Sequence, residues 1–257
     1  KLLGKPVIYH IHETYIRPKI FKQFLRLIVS KTASKIIFVS NILKELEQFK
    51  YKKQEVVYNA LSKSFLKHAA KNSYTPLDKK STFNVYMIAS LKAYKGINEL
   101  VAIAQKCASN KALQFVLILN AKQYNINTYF NSIELPENLR ILATQQDLHQ
   151  HYKNAGLVLN LSRVDQCIET FGLTIIEAMA YGIPVIVPPV GGPAEIVTNG
   201  IEGYLISSYK TSSIAEKIKT LSLDKAEWSR LSKNALMRSK DFNEQVFNKK
   251  LIQVLNA

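Results

Sequence analysis

A chain of 257 residues with 47% apolar and 21% charged side chains can bury a sizeable core, or hold two domains of modest size. Its two cysteines, Cys107 and Cys167, exclude a disulfide framework and make a reducing compartment the default, while no apolar run reaches the ~18 residues of a spanning helix. The net charge of +16 is uneven: residues 1–80 hold 17 Lys and Arg against 5 Asp and Glu, and the rest hold 18 against 14, so the first part is suited to an anionic partner or to a solvated basic face.

In chain order, Pro6 to Glu13 reads as a buried strand ending in polar residues. His12 and Glu13 then fall at its carboxyl end, the usual ligand side of a parallel α/β sheet. Pro18 to Ser30 reads as a helix, with Phe21, Phe24, Leu25 and Ile28 on one face and Lys19, Lys22 and Arg26 on another. The apolar face is expected to pack on its own domain and the basic stripe to stay free for anionic lipid. Lys35–Ser40 is the next strand, with Ser40 or Asn41 as N-cap of a helix reaching about Phe49, and Glu55–Tyr58 is a short strand. A polar, lysine-rich stretch follows, up to Thr82.

From Phe83 the pattern is regular, strand then helix. Strands are predicted at 83–89, 115–119, 139–142, 157–161, 184–187 and 203–206, with helical stretches between them, as in a parallel, doubly wound sheet. No internal repeat or low-complexity segment interrupts this. Residues 242–254 read as a last helix.

The stretch from Ser162 to Leu205, SRVDQCIETFGLTIIEAMAYGIPVIVPPVGGPAEIVTNGIEGYL, carries the chemistry. Glu169 lies just before a helix N-terminus, whose free backbone N–H groups suit an anion. Glu177 sits inside that largely apolar helix, where an unpaired carboxylate would be costly. Gly182-Ile183-Pro184 ends the helix, Val185–Val187 is a buried strand, and Gly191-Gly192-Pro193 turns into a short helix beginning near Ala194. Two glycine-marked turns facing one cleft, with carboxylates beside them, suit a polyhydroxylated, phosphate-bearing ligand.

The string E-x7-E, then E-A-M-A-x-G-x-P-V, then G-G-x-x-E, resembles the nucleotide-sugar-binding half of the family 4 glycosyltransferases, retaining enzymes of GT-B fold. The resemblance implies an α/β architecture with two Rossmann-like domains. It implies a partial acceptor-side domain over 1–62, a linker over 63–80, a nucleotide-sugar-binding domain over 81–241, and a helix over 242–257 returning to the first domain. The family's first N-domain units have no counterpart here, so a fragment that is inactive by itself is one expectation.

Residue by residue, the resemblance makes His12 the histidine delivered towards the donor sugar. It makes Glu169 the contact to hydroxyls of the transferred sugar, and Glu177 the holder of the ribose hydroxyls. Thr170, Phe171, Gly172 and Leu173 are expected along the sugar-phosphate. The loop Ala89–Gly96 resembles G-R-L-x-x-x-K-G, in which Arg and Lys hold the diphosphate. Lys95 and Gly96 match, whereas Ser90 stands in place of Arg, and Lys92 is a candidate for the missing charge. Thr144, at a strand end, falls where the family reads the base partly through the main chain. Asn59-Ala60 departs from the Asn-Gly usual at the crossover between domains.

The implied reaction moves a sugar from a nucleotide diphosphate sugar, UDP- or GDP-linked, to a polysaccharide or glycolipid acceptor with retention. No cofactor and no metal is expected, in line with the lack of an Asp-x-Asp signature or a His/Cys cluster. The alternative is a non-catalytic nucleotide-sugar-binding module. A nucleic-acid partner is not expected, because no recognition string accompanies the basic charge. The expected location is cytoplasmic, at the inner face of the membrane.

Overall fold

Eight short apolar runs and the polar stretch Lys53–Val56, two residues before the expected Glu55–Tyr58, form strands in the computed structural model, which describes residues 5–14, 16–50, 52–71 and 82–256. The first three form a parallel sheet: β1 (Ile8–Ile11), β2 (Lys35–Phe38) and β3 (Lys53–Val56), in that spatial order, with Ile8 opposite Lys35 and Lys35 opposite Lys53. They are joined by α1 (Lys19–Thr32) and α2 (Asn41–Leu46). Ser40 is the cap of α2, its Oγ accepting the Leu43 N–H at 3.2 Å. That helix stops at Leu46, short of the expected Phe49.

Two expectations for this part are corrected. Lys22 and Arg26 are not free for lipid, because both pair with the buried carboxylate of Glu47. A buried carboxylate demands partners, and α1 turns its basic residues inward to supply them. The apolar face is correspondingly displaced: Phe21 and Phe24 are about half exposed, while Leu25, Ile28 and Val29 face inward. Secondly, the lysine-rich stretch expected as linker contains a helix, α3 (Lys63–Lys71). Phe65, Leu66 and Ala69 give it an apolar stripe that joins the core. The rest of the expected linker, 72–80, lies outside the described residues.

The second sheet has six parallel strands. In chain order the elements are β4 (Phe83–Ser90), α4 (Ile97–Cys107), β5 (Leu113–Asn120), α5 (Gln123–Phe130), β6 (Leu139–Leu142), α6 (His149–Asn154), β7 (Leu157–Leu159), α7 (Leu173–Ala180), β8 (Val185–Val187), α8 (Gly192–Ile196) and β9 (Gly203–Leu205). The helices α9 (Thr211–Leu223), α10 (Lys225–Ser239) and α11 (Glu244–Asn256) close the chain. The strand order β6-β5-β4-β7-β8-β9 reverses between β4 and β7, and ligands of such sheets bind outside the carboxyl ends at that reversal. Alternate residues of β5 serve opposite faces. Phe115, Leu117 and Leu119 join one core cluster, while Val116 and Ile118 join the other.

The sheets are not independent. One cluster runs without a break from Val29, Phe38 and Leu43 to Phe171, Ile176 and Tyr181. The chain also crosses back: α11 buries Val254 against Ile37 and Val57, with Phe247 and Leu251 beside them. The Leu61 N–H donates to the Phe242 carbonyl at 2.8 Å. Among the described residues no helix is long and apolar enough to cross a membrane.

Candidate active site

A cleft of about 640 Å³ opens where the carboxyl ends of the two sheets face each other. His12, Glu13, Arg17 and Asn59 line it from the N-terminal side. Ser90, Tyr94, Lys95, residues 166–171 and Leu173 line it from the other. His12 lies one residue past β1 and is exposed, its ring 4.2 Å from that of His10. Burial, followed by the neighbouring His12, pushes His10 down from 6.5 to about 4, and its Nε2 is buried without a partner. His10 is therefore a neutral platform at pH 7 beneath the exposed ring.

Glu169 is held from three directions. Asn160 Nδ2 donates to its Oε2 at 2.8 Å, the Ser162 hydroxyl donates to the same atom at 2.7 Å, and Lys95 Nζ stands 3.1 Å away. All three fall on Oε2; no described group bonds Oε1, which leaves that oxygen to accept from a ligand. Asn160 and Ser162 follow β7 directly, and Lys95 ends the short 3-10 turn after β4. The reversal of strand order thus gathers the groups that hold one carboxylate. Lys95 and Glu169 are each about a fifth exposed, so their pairing is shielded from bulk water yet open to the cleft.

Glycines let the backbone close around this arrangement. Gly191 has φ +108°, and the Gly192 N–H donates to the Glu169 carbonyl at 2.7 Å. A Cβ on Gly192 would lie 2.4 Å from the Thr170 carbonyl oxygen, so only glycine permits that approach. Gly96, at φ +81°, is packed so tightly that a Cβ would meet the Leu161 carbonyl oxygen at 2.1 Å. Gly96 shapes the cleft from behind and does not line it.

The expected site residues divide into two sets. His12, Ser90, Lys95, Glu169, Thr170, Phe171 and Leu173 come together on the cleft wall, and Gly172 caps α7 between them. Lys92 does not: it is exposed, precedes the 3-10 turn, and is absent from the cleft wall. Thr144 follows β6, its N–H bonded to the Ala121 carbonyl at 3.3 Å and its hydroxyl to Asn120 Oδ1 at 3.2 Å. It shares the carboxyl edge of the sheet but lies off the cleft lining.

Glu177 is also off the lining, and its Oε2 accepts a 2.6 Å hydrogen bond from the Tyr152 hydroxyl. Burial raises its pKa, with the Tyr152 bond opposing that. Behind it, Tyr152 stacks on Tyr181 at 5.6 Å between centroids, and Tyr181 is hydrogen-bonded to His149 and His68.

Several contributors were not singled out in the sequence: Asn160 and Ser162 around Glu169, and Asn59, Gln166 and Cys167 on the wall. Arg163 also belongs, pairing with buried Glu99 at 2.7 Å and so pinning the loop behind the cleft. Their signal was position, because Asn160 and Ser162 sit within three residues of the end of a buried strand. Among the described residues no group of three or more His, Cys, Asp or Glu side chains is placed to hold a metal.

The family model described as Glycosyl transferases group 1 matches residues 73–238, more than half of the chain. A sucrose synthase of Melioribacter roseus is 37% identical over 91 residues, 34% of this chain and 12% of that protein. A sucrose-phosphate synthase of Spinacia oleracea is 36% identical over 92 residues, 36% of this chain. The match spans only 9% of that protein, so this chain corresponds to a small part of these curated relatives. Among solved structures, Anabaena Alr3699/HepE in complex with UDP and glucose has a TM-score of 0.80 at 22% identity, covering 100% of this chain and 73% of that one. A sucrose-phosphate synthase from Thermosynechococcus elongatus has a TM-score of 0.74 at 19% identity, covering 97% and 67%.

Proposed function

The chain belongs to the glycosyl transferases group 1 family, and on that premise we propose that it transfers a sugar from a nucleotide diphosphate sugar, with retention at the anomeric carbon and without a metal. Its α/β fold is of the GT-B type, two parallel sheets facing one cleft. The observation that carries the proposal is Glu169. One of its oxygens is fixed by Asn160, Ser162 and Lys95, no described group bonds the other, and Glu169 and His12 line the same cleft.

In this reading Glu169 Oε1 accepts from hydroxyls of the donor sugar, and His12 contacts the sugar from across the cleft. Lys95, together with the N–H groups of Phe171, Gly172 and Leu173, offsets the charge of the diphosphate. Glu177 bonds the ribose hydroxyls and shares its carboxylate with Tyr152. Thr144 contributes main-chain contacts near the base. The bond from the anomeric carbon to the phosphate oxygen breaks, the acceptor oxygen bonds the same face, and the acceptor proton passes to the departing phosphate. No covalent sugar-enzyme bond is needed. UDP is the nucleotide favoured, since a structural neighbour carries it. The acceptor is a polysaccharide or glycolipid, bound from the N-terminal side.

Calorimetric titration with UDP, GDP and ADP tests this directly. We expect one of them to bind, UDP first among them, and Glu177→Ala to weaken binding by roughly tenfold or more, as removal of a charged hydrogen-bond partner does. Binding of none of the three by folded protein would sink the proposal. Anomeric proton couplings of the product, and activity with a chelator present, test retention and metal independence.

A further inference from the structure

Glu195 follows the double glycine in α8, on the side of the six-stranded sheet, yet the hydrogen bonds of its carboxylate go to the other side. Its Oε2 accepts from the Asn41 backbone N–H, from Asn41 Nδ2 and from the Tyr58 hydroxyl, each at 2.9 Å. Its Oε1 accepts from the Ile42 N–H at 2.6 Å. Hydrogen bonds to a carboxylate are stronger than neutral ones, and four of them satisfy most of its lone pairs. All four donors belong to residues of the N-terminal part, at the start of α2 and just past β3.

The same short helix is held at both ends. Arg238 donates from Nε to the Ile196 carbonyl and from a terminal nitrogen to the Glu195 carbonyl, each at 3.1 Å. At the other end the Gly192 N–H is bonded to the Glu169 carbonyl. Two residues, Pro193 and Ala194, therefore separate the backbone clamp on Glu169 from the side chain that grips the opposite sheet. Tyr58 adds a parallel link: its ring lies 6.1 Å from Phe171 and 5.9 Å from Phe242, and those two rings are 6.1 Å apart. Phe171 is two residues past Glu169.

We propose that Glu195 is a positioning residue, a latch that fixes the two sheets across the cleft and so holds His12 opposite Glu169. It does not line the cleft and touches no reacting atom. The catalytic consequence rests on the function proposed above; the mechanical coupling of residues 41–42 to the Glu169 loop does not. Glu195→Gln is the sharpest variant, because it preserves volume while aiming an amide nitrogen at N–H donors. Tyr58→Phe removes one of the four bonds and keeps the ring.

The experiment measures amide hydrogen exchange of the full chain, UDP affinity and transfer kinetics for both variants. Glu195→Gln should speed exchange about tenfold both at 41–42 and at 168–172, as loss of charged hydrogen bonds predicts. UDP affinity should stay within roughly threefold, since the proposed nucleotide contacts all lie on the six-stranded side and do not depend on the placement of the smaller sheet, while kcat drops about tenfold from lost alignment. Tyr58→Phe should move the same quantities less. Faster exchange at 41–42 alone, with 168–172 and kcat unchanged, would reduce Glu195 to a local helix cap and overturn the proposal. If the wild-type chain binds no nucleotide, the function reading fails, and exchange in the ligand-free protein still decides whether the latch exists.

Discussion

The six-stranded sheet has deep apolar cover on both faces, whereas the three-stranded sheet has it on one. Leu117, Leu159 and Trp228 belong to the core on one face of the larger sheet, and Ile118, Val158 and Tyr181 to the core on the other. In the smaller sheet, Ile36 and Phe38 join the shared core, but Ile37 belongs to a small cluster with Ile8, Val57 and the side chains of α11. The larger sheet is stabilised by its own helices. The smaller one depends on a helix from the far end of the chain and on one carboxylate, Glu195. The cleft lies between a wall covered by core on both faces and a wall tied down by contacts from distant segments.

The contrast would break most visibly at Trp228, which is fully buried and donates its indole N–H to the Gly156 carbonyl at 2.8 Å. Trp228→Ala should cost about 4 kcal/mol in urea unfolding and lower the global transition. A cost below ~1 kcal/mol would mean that the larger sheet does not carry the stability. Val254→Ala probes the other side, where two methyl groups are lost from a thin cluster. The expected cost is about 1.5 kcal/mol, with protection lost at Ile36 to Phe38 before any change at β5. Equal loss in both sheets would show that they unfold as one unit.

A third contrast is a pH dependence seated in the smaller sheet, at His10. His10 has a folded value near 4 against an ordinary 6.5, so between these values the unfolded chain binds the proton first. Stability from this site is complete above pH 6.5 and is lost as pH falls towards 4. His10→Phe, which can pack on Phe247 as His10 does at 6.5 Å, should flatten the fall of melting temperature over that window. An unchanged profile would assign the acid sensitivity elsewhere.

Much of this fold was legible from local pattern, because short apolar runs bounded by polar turns have few alternatives to a buried parallel strand. All six strands of the larger sheet stand where expected, to within two residues at each end. The turn into α8 at Gly191-Gly192 was equally readable, whereas local pattern gave α11 as a helix and said nothing of where it packs. Glu169 could be singled out from its place before a helix, and the string around it indicated the family.

What remained hidden depended on contacts between residues far apart in the chain. Lys22 and Arg26 looked free until Glu47, buried just past the end of α2, proved to require them. Residues 63–71 looked like linker because the core that receives Phe65 and Ala69 is built by later segments. Asn160 and Ser162 have no helical or strand periodicity to mark them, and only the reversal of strand order brings Lys95 to the same carboxylate oxygen. Glu195 could be read as the last letter of a motif, but its four donors lie about 140 to 150 residues upstream. Periodicity and turn chemistry are local, so the chain alone determined most of its elements, their alternation and its family; the partners of buried charges are not local, so only the packed structure decided what holds the carboxylate at the cleft and which one joins the two sheets.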